Sequence, residues 1–326
     1  MIKNVVHITD KQYFRVYLPQ YSPMHNIKTN FDIILYICNN LLKDYLSVDG
    51  NFENYRNKPK LPDIQVVALA ITAESLSIDS ENLLFSKLKK EYLADFPNLI
   101  DRSNFNKRRR RLAYYISLVS ELTIKEIEPV NQAYIIDSMP LSICKNVRII
   151  RNKFQIEDEQ VEPTRGYHAC SKSYFFGFKL QLIITKSGIP HSAFLTSANL
   201  HDSSFLECFD AVQISDCELL GDMGYLSKYH QLSLFENYKV KIITPLRSNM
   251  NQINTEWTPK TRYERKRIET VFSQLDDQML IKRNYAKSLN GLLVRVCSKV
   301  SAVAILQYIN KQNNKPLNKI KHALAA

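Results

Sequence analysis

The sequence predicts an α/β fold in which helices cover the faces of a mixed sheet, with a helical region at the N-terminal end. Three observations support this prediction. Only one of the seven glycines, Gly50, lies before residue 166, so the turn-rich part of the chain comes late. Residues 177–185 alternate apolar and polar side chains, as a half-buried strand does. Beyond them, strand-like and helix-like segments alternate, which is typical of βαβ crossovers.

The first third of the chain carries the signals of three or four short helices. Residues 31–45 place apolar side chains on one helical face. Pro62 suits the first turn of a second helix. Asp79 is a candidate cap for a third helix and Ser103 for a fourth, which begins with a basic run. We therefore predict that helices precede any strand.

From residue 133 the apolar period changes to that of strands. The pattern predicts strands at residues 133–137, 177–185, 190–194, 217–220 and 240–244, and helices at 199–212, 228–238 and 265–280. The segment 144–174 mixes basic residues with an acidic cluster, which predicts a long exposed connection. That cluster contains Glu157, Asp158, Glu159 and Glu162. A further helix after Gly291 leads into a basic tail.

The chain has an excess of basic residues. It contains 326 residues, with 44 Lys or Arg against 32 Asp or Glu, which gives a formal charge of +12. This balance is typical of proteins that bind polyanions, so nucleic acid is the leading candidate partner. The alternative is that the charge only keeps the protein in solution. A hydrophobic content of 45% and a charged content of 23% exclude a wholly disordered chain.

The sequence shows no sign of export, of a membrane span or of structural zinc. The six cysteines form no Cys-x-x-Cys pair and no zinc-ligand spacing with the histidines, so we predict reduced, packed thiols. Residues 1–16 contain no apolar run of signal-peptide length. We also find no window with the roughly 18 apolar residues of a membrane helix. These features predict a cytoplasmic protein.

Three acidic residues follow or adjoin predicted core elements. Asp137 ends the first predicted strand, which we expect Ser138 and Pro140 to stop. Asp222 ends the fourth strand within Gly-Asp-Met-Gly-Tyr, whose glycines permit a sharp turn. If these strands are neighbours, the two aspartates emerge together at the edge where open α/β sheets bind ligands. Glu269 adjoins the apolar stripe of the last helix and can reach the same edge.

Such a group of carboxylates favours divalent cations, because clustered negative charges repel one another unless cations lie between them. Hard oxygen ligands suit Mg²⁺. Two such ions, about 3.5 to 4 Å apart, would activate an attacking oxygen and stabilise a leaving oxygen at phosphorus. Each acid also has an ordinary interpretation. Asp137 and Asp222 would be turn or cap residues, and Glu269 would form a surface ion pair with Arg265.

Basic residues cluster in two places. The first cluster begins the predicted fourth helix and contains Arg102, Lys107, Arg108, Arg109, Arg110 and Arg111. Cations near a helix start oppose the helix dipole, so an external anion is the better explanation, with a solvated charge run as the alternative. The second cluster surrounds Glu269 and contains Lys260, Arg262, Arg265, Lys266 and Arg267. These residues would hold a DNA strand or compensate the acids, and Lys179 and Arg247 are weaker candidates for contact with DNA.

We assign no catalytic role to Asp202, His168 or His191. Asp202 precedes the predicted helix at 199–212 closely enough to cap it. The two histidines have no partners at metal-ligand spacing.

Six ordered segments resemble the motifs of bacterial insertion-sequence transposases of the DDE type, and specifically of the nine-eighty-two family of insertion sequences. The segments are Tyr-Ile-Ile-Asp137-Ser-Met-Pro, Tyr174-Phe-Phe-Gly-Phe-Lys179-Leu, Asn199-Leu-His-Asp202, Gly-Asp222-Met-Gly-Tyr, Thr244-Pro-Leu-Arg247 and Arg267-Ile-Glu269-Thr-Val-Phe272. Many related insertion-sequence enzymes carry Tyr, Arg and Lys at fixed offsets around the glutamate. This chain has Arg265 before Glu269 but Asp276 after it, where Lys or Arg would be expected, so residue 276 takes no DNA-contact role by analogy.

The resemblance covers essentially the whole chain. It implies a helix-turn-helix-like DNA-binding domain at 1–128, a ribonuclease-H-like catalytic domain at 129–284, and a C-terminal helix and basic tail at 285–326. Asp137, Asp222 and Glu269 would then hold two Mg²⁺ ions, for which Mn²⁺ can substitute, and would cleave and join double-stranded DNA. It also implies a homo-oligomer on DNA, associated with the nucleoid. The alternatives are a nuclease of the same fold without strand transfer and a non-catalytic DNA-binding protein.

Overall fold

The structure is a computed structural model. It describes residues 26–130, 132–155, 161–169, 171–250, 255–283 and 285–324. The predictions made for residues 1–16, for the acidic residues Glu157, Asp158 and Glu159, and for the thiol of Cys170 lie outside the described residues.

Helices precede the first described strand, as the sequence predicts, but there are five where three or four were expected. They are α1 (Ile27–Leu41), α2 (Asp63–Ser75), α3 (Glu81–Glu91), α4 (Arg102–Arg111) and α5 (Ala113–Ile127). The predicted caps of α3 and α4 were wrong by one and two residues. Ser80 caps α3 by accepting from the Leu83 amide, and Asp101 caps α4 by accepting from the Asn104 amide at 2.9 Å. Both caps have extended backbone, which turns the side chain back onto the first helical turn.

The strands form one six-stranded mixed sheet. They are β1 (Ala133–Cys144), β2 (Thr164–His168), β3 (Ser173–Thr185), β4 (Pro190–Ser197), β5 (Glu218–Leu220) and β6 (Lys241–Ile243). β1 pairs antiparallel with β3 on one side and parallel with β5 on the other, and β6 continues the parallel part. On its far edge, β3 pairs with β2 near its start and with β4 farther along. The predicted neighbourhood of the first strand and the Asp222 strand is confirmed.

Two predictions about the strands were wrong. Pro140 does not stop β1, which continues to Cys144. Beyond Ile135, β3 is the one hydrogen-bonded neighbour of β1 among the described strands, so the other edge of β1 tolerates a residue without an N–H. The connection 144–174 is not wholly irregular either, because Thr164–His168 forms β2 against β3. A five-residue edge strand that includes Gly166 carries little apolar signal of its own.

The sheet lies between two layers of helices. Alternate side chains of β1 enter different layers, since Ile135 packs with the N-terminal helices and Ile136 packs on the opposite face. The first layer contains α1, α2, α5, α8 (Arg267–Ser273) and α9 (Leu289–Gln312). The second contains α6 (Lys228–Tyr238) and the 3₁₀ segment Asp202–Val212. One continuous hydrophobic core therefore includes residues from 1–128, 129–284 and 285–326.

The two helices predicted at 199–212 and 265–280 differ in detail. The first is the 3₁₀ segment Asp202–Val212, with a kink at Cys208. The second divides into α7 (Pro259–Arg265), α8 and a π-helical segment, Gln274–Gln278. Its apolar stripe is nevertheless buried as predicted, because Ile268 and Val271 are completely inaccessible to solvent.

Among the described helices, α9 is long and apolar enough to cross a membrane, so the expectation that no such window exists was wrong. However, 78% of its most apolar stretch is buried inside the protein. It also carries a buried charge, since Lys299 pairs with Glu74 of α2 and donates to the Met279 carbonyl. A helix that packs on all sides in a core requires this composition without any lipid.

Candidate active site

Asp137 lies on β1, and Asp222 lies just beyond the carboxyl end of the adjacent parallel strand β5. The last register pair of β1 and β5 joins Ile135 to Leu220, and each aspartate comes two residues after its member of that pair. Parallel neighbours lie roughly 4.8 Å apart. The carboxyl end of β5 and the middle of β1 thus bring the two carboxylates to one position. Asp137 is therefore at a mid-strand site, where we had expected a strand end, because β1 is longer than predicted.

The backbone after β5 fits tightly around Asp222. This residue caps a short 3₁₀ turn, Met223–Tyr225, and its Oδ1 accepts from the Gly224 amide at 2.8 Å. A Cβ at position 224 would lie 2.9 Å from Asp222 Oδ1 and 3.1 Å from Asp202 Oδ2. Only glycine leaves room for two carboxylates to approach the same backbone.

Arg265 connects Glu269 to Asp137. The Arg265 guanidinium donates to Asp137 Oδ2 at 3.0 Å and to Glu269 Oε1 at 3.1 Å. The side chain of Glu269 is 57% exposed, whereas those of Asp137 and Arg265 are each 19% exposed. The surface ion pair expected as the ordinary interpretation of Glu269 does exist, but its arginine also binds Asp137. A cation thus already connects the first and third acids.

Burial and mutual repulsion make both aspartates less acidic. Burial, with a smaller contribution from the charge of Asp222, raises the pKa of Asp137 to about 6 despite the opposing effects of Arg265 and the Ser138 amide. Burial also raises the pKa of Asp222, and Asp202 adds to that rise. The positive charge near these carboxylates therefore does not compensate their negative charge.

A further acid, Asp202, belongs to this group, and our sequence reasoning missed it. Asp202 was predicted to cap the following segment, but the cap is His201, whose side chain accepts a hydrogen bond from the Ser203 amide. The Asp202 carboxylate turns inward, where Lys179 donates to it at 3.1 Å and Gln181 at 3.2 Å. Gln181 in turn accepts from the fully buried hydroxyl of Tyr225 at 2.6 Å. The signal was present in Asn199-Leu-His-Asp202, but a cap was the simpler local explanation.

Comparison with known proteins gives one clear result for this part of the chain. Residues 128–289 match the family model of the transposase DDE domain. The chain contains a transposase DDE domain. No curated protein matches the chain. The matched residues include all six strands, α6 to α8, and the four acids described above.

Within the DDE domain, the cations near the acids fall into two groups. Arg265 and Lys179 are engaged with carboxylates, and Lys179 also donates to the Leu200 carbonyl at 2.8 Å. Arg247, Arg262 and Lys266 are exposed. The structure therefore brings Arg265 and Lys179 to the acids and leaves the other three at the surface.

In α4, which precedes the DDE domain, four of the five arginines lie at the end of the helix and not near its start as predicted. Arg108, Arg109, Arg110 and Arg111 occupy the last turn of α4, where the helix dipole favours cations. Their charge therefore needs no external anion on dipole grounds. Arg108 binds the buried Asp63 at 2.5 Å, and Arg109 is 3% exposed and binds Glu81 at 2.8 Å. These two ion pairs stabilise the helical layer. Arg102, Lys107 and Arg111 remain exposed.

The described residues contain no group of three or more His, Cys, Asp or Glu side chains already placed to hold a metal ion. Asp137, Asp222 and Asp202 approach one another, but Glu269 is held apart by Arg265. The expected three-carboxylate constellation is therefore incomplete while Arg265 bridges two of its members.

Proposed function

We propose that this protein is a transposase that binds the ends of an insertion sequence, cleaves DNA there and joins the freed 3′ hydroxyl to target DNA. The DDE domain implies a metal-dependent nuclease or transposase activity. The observation that carries the finer proposal is the proximity of Asp137 on β1 to Asp222, just beyond the end of β5, beside a helix that bears Glu269. The motifs that resemble the nine-eighty-two family favour strand transfer over hydrolysis alone.

The donor set fits a divalent cation. Asp137 and Asp222 offer hard oxygen ligands, and burial raises the pKa of both, so a bound cation would stabilise their charged forms. We propose that these two residues hold Mg²⁺ or Mn²⁺, and that Glu269 joins them when its pair with Arg265 opens. Bound in this way, two ions would stabilise both the attacking and the leaving oxygen at phosphorus.

The chain's own residues would orient the DNA strand. Three exposed cations can each bind a phosphate oxygen. Arg262 lies on α7, Lys266 lies between α7 and α8, and Arg247 follows β6. Arg265, once released from Asp137 and Glu269, can do the same. Lys179 fixes Asp202, so we propose a positioning role for it in place of direct contact with DNA.

We further propose a division of labour along the chain. The helices within 1–128 would bind DNA in a helix-turn-helix-like manner, residues 129–284 would form a ribonuclease-H-like catalytic domain, and residues 285–326 would complete the first helical layer. Such a protein would act as a homo-oligomer on paired DNA ends, in the cytoplasm and on the nucleoid. The three segments share one hydrophobic core, which supports the proposal that they move together as one unit.

The test is a cleavage and joining assay. Purified protein is incubated with DNA that carries the sequences flanking its own gene, with and without Mg²⁺, beside Asp137→Asn, Asp222→Asn and Glu269→Gln. Asp210→Asn, an exposed change on the Asp202–Val212 segment, is the matched control. We expect metal-dependent 3′ ends at a fixed boundary and joined products, both lost in the three variants and kept in the control.

The other outcomes separate the alternatives. Cleavage without joined products identifies a nuclease of the same fold. Binding of DNA without cleavage in any metal, with Asp137→Asn behaving like the parent, identifies a non-catalytic DNA-binding protein and returns the acids to structural roles.

A further inference from the structure

A polar cavity of about 750 Å³ lies outside the carboxylate group, between helices α3, α4 and α9. Five cationic side chains contribute to its lining, namely Arg102, Arg109, Arg110, Lys287 and Arg295. Glu81 is the one acidic side chain among the described residues that line it. The first three of these cations belong to the basic cluster at α4, whereas Lys287 and Arg295 lie far away in the sequence and come to the same cavity only in the folded protein.

One buried arginine of this cavity, Arg109, keeps donor capacity that the described residues do not use. Arg109 is 3% exposed and binds Glu81 through Nη2 at 2.8 Å, but its buried Nε has no hydrogen-bond partner among the described residues. Arg295 is 8% exposed, donates to the Asp79 carbonyl and lies 5.8 Å from the centre of the Tyr285 ring. A buried donor without a partner is unfavourable, so a ligand that supplies an acceptor is favoured.

Two helix N-termini add to the positive potential. Ser80 caps α3 and Ser288 caps α9, and both caps line the cavity. The first amides of a helix carry partial positive charge, which favours anions. Helix α9 has 24 residues, so its N-terminus is held firmly by the core behind it.

We propose that this cavity binds a phosphate group. Planar guanidinium groups match the paired oxygens of phosphate, and the balance of five cations against one carboxylate favours an anion with more than a single charge or a chain of such anions. The source that fits best is the backbone of a DNA strand, which rests on the proposed function. A free nucleotide or polyphosphate offers the same chemistry.

The first arm of the test measures binding of a fluorescein-labelled duplex by anisotropy, with the full chain in EDTA so that no cleavage occurs. Arg102 and Lys287 are exposed residues of the lining, so we expect Arg102→Gln and Lys287→Gln to fold as the parent does. We expect each to weaken binding about three- to tenfold and to lower the slope of log affinity against log salt by about one. Lys125→Gln, an exposed change on α5 outside the lining, should leave both unchanged.

The second arm measures thermal stabilisation by inorganic tripolyphosphate, which binds the folded protein alone. If both arms respond to the two lining variants, the cavity binds the phosphates of DNA. If only the tripolyphosphate arm responds, the phosphate site stands and DNA is overturned as its source. If neither arm responds, the phosphate site itself is overturned. Because neither arm needs catalysis, loss of cleavage in the earlier assay would remove the proposed function without deciding this result.

Discussion

At the scale of single residues, the environment of Asp137 combines burial, a neighbouring acid and a bridging arginine. Each effect acts on the same carboxylate, and burial is the largest. The side chain is a metal-ligand candidate because it is costly to ionise without a cation nearby. Because this carboxylate is costly to ionise, it should make the stability of the metal-free protein depend on pH.

We predict that Asp137 makes stability depend on pH. Its folded pKa of about 6 lies above the ordinary 3.8, so the folded state binds the proton more tightly. The stability that this provides is present below pH 3.8 and is lost as the pH rises through about 6. Asp137→Asn should therefore be more stable than the parent at pH 7.5, by up to about 3 kcal/mol, and no more stable at pH 4.

The measurement is urea denaturation in EDTA at several pH values between 4 and 7.5. Asp210→Asn, whose carboxylate is exposed, should follow the parent at every pH. Equal stability of Asp137→Asn and parent at pH 7.5 would show that burial does not penalise this carboxylate.

We also predict that Arg265 competes with divalent cations. Its guanidinium lies between Asp137 and Glu269, so a metal ion that uses both carboxylates must displace it. Arg265→Gln should bind Mn²⁺ about two- to fivefold more tightly in the absence of DNA, as expected for loss of a partly exposed ion pair. Titration followed by electron paramagnetic resonance measures this affinity. Lys260→Gln, an exposed change on the same helix, is the control, and weaker Mn²⁺ binding by Arg265→Gln would mean that the arginine organises the acids.

At the scale of elements, α8 positions Glu269 through its buried face. Ile268 and Val271 are fully buried in the core shared with the sheet, and Glu269 projects from the opposite, exposed side. The short length of α8, with α7 before it and a π segment after it, means that packing rather than helix propensity fixes its place.

Ile268→Ala should therefore act on stability and on the site together. We expect a loss of about 2 to 5 kcal/mol in the free energy of unfolding, from lost burial and an unfilled cavity. Metal-dependent cleavage should fall by more than the loss of folded protein explains, because Glu269 is adjacent. Thr270→Ala, on the exposed side of α8, should change stability by less than about 0.5 kcal/mol. Denaturation curves and cleavage rates at a temperature where both variants stay folded test this.

At the scale of the whole molecule, buried charges connect the N-terminal helices to the C-terminal helix. Lys299 of α9 and Glu74 of α2 are each 2% exposed and pair with one another, and Lys299 also donates to the end of the π segment at Met279. Burial lowers the pKa of Lys299, and the charge of Glu74 opposes that shift. The pair therefore joins three parts of the chain that are far apart in sequence.

Removing one member of this pair should be more harmful than removing both. Lys299→Met leaves Glu74 buried without its partner, at a cost of about 3 to 5 kcal/mol. The double variant Lys299→Met, Glu74→Leu should recover most of that loss, because apolar groups of similar size replace both charges. Chemical denaturation of the parent, both single variants and the double variant gives the coupling. Additive effects would contradict a direct interaction.

The sequence by itself indicated most of the order of elements, the apolar faces and the three candidate acids Asp137, Asp222 and Glu269. Local signals sufficed for α1 to α4 and for β3, and the glycines around Asp222 indicated a turn. Those are short-range properties, since each depends on side chains a few positions apart.

Only the tertiary structure decided how β1 passes through Pro140, that Asp202 turns inward, and which arginines of α4 are buried. Each of these depends on a partner distant in the chain: the free edge of β1 beyond β5, Lys179 and Gln181 on β3, and Asp63 and Glu81 on other helices. A charged side chain looks the same in sequence whether solvent, DNA or a buried acid is its partner. The desolvation and pairing that distinguish these cases arise only when the chain has folded.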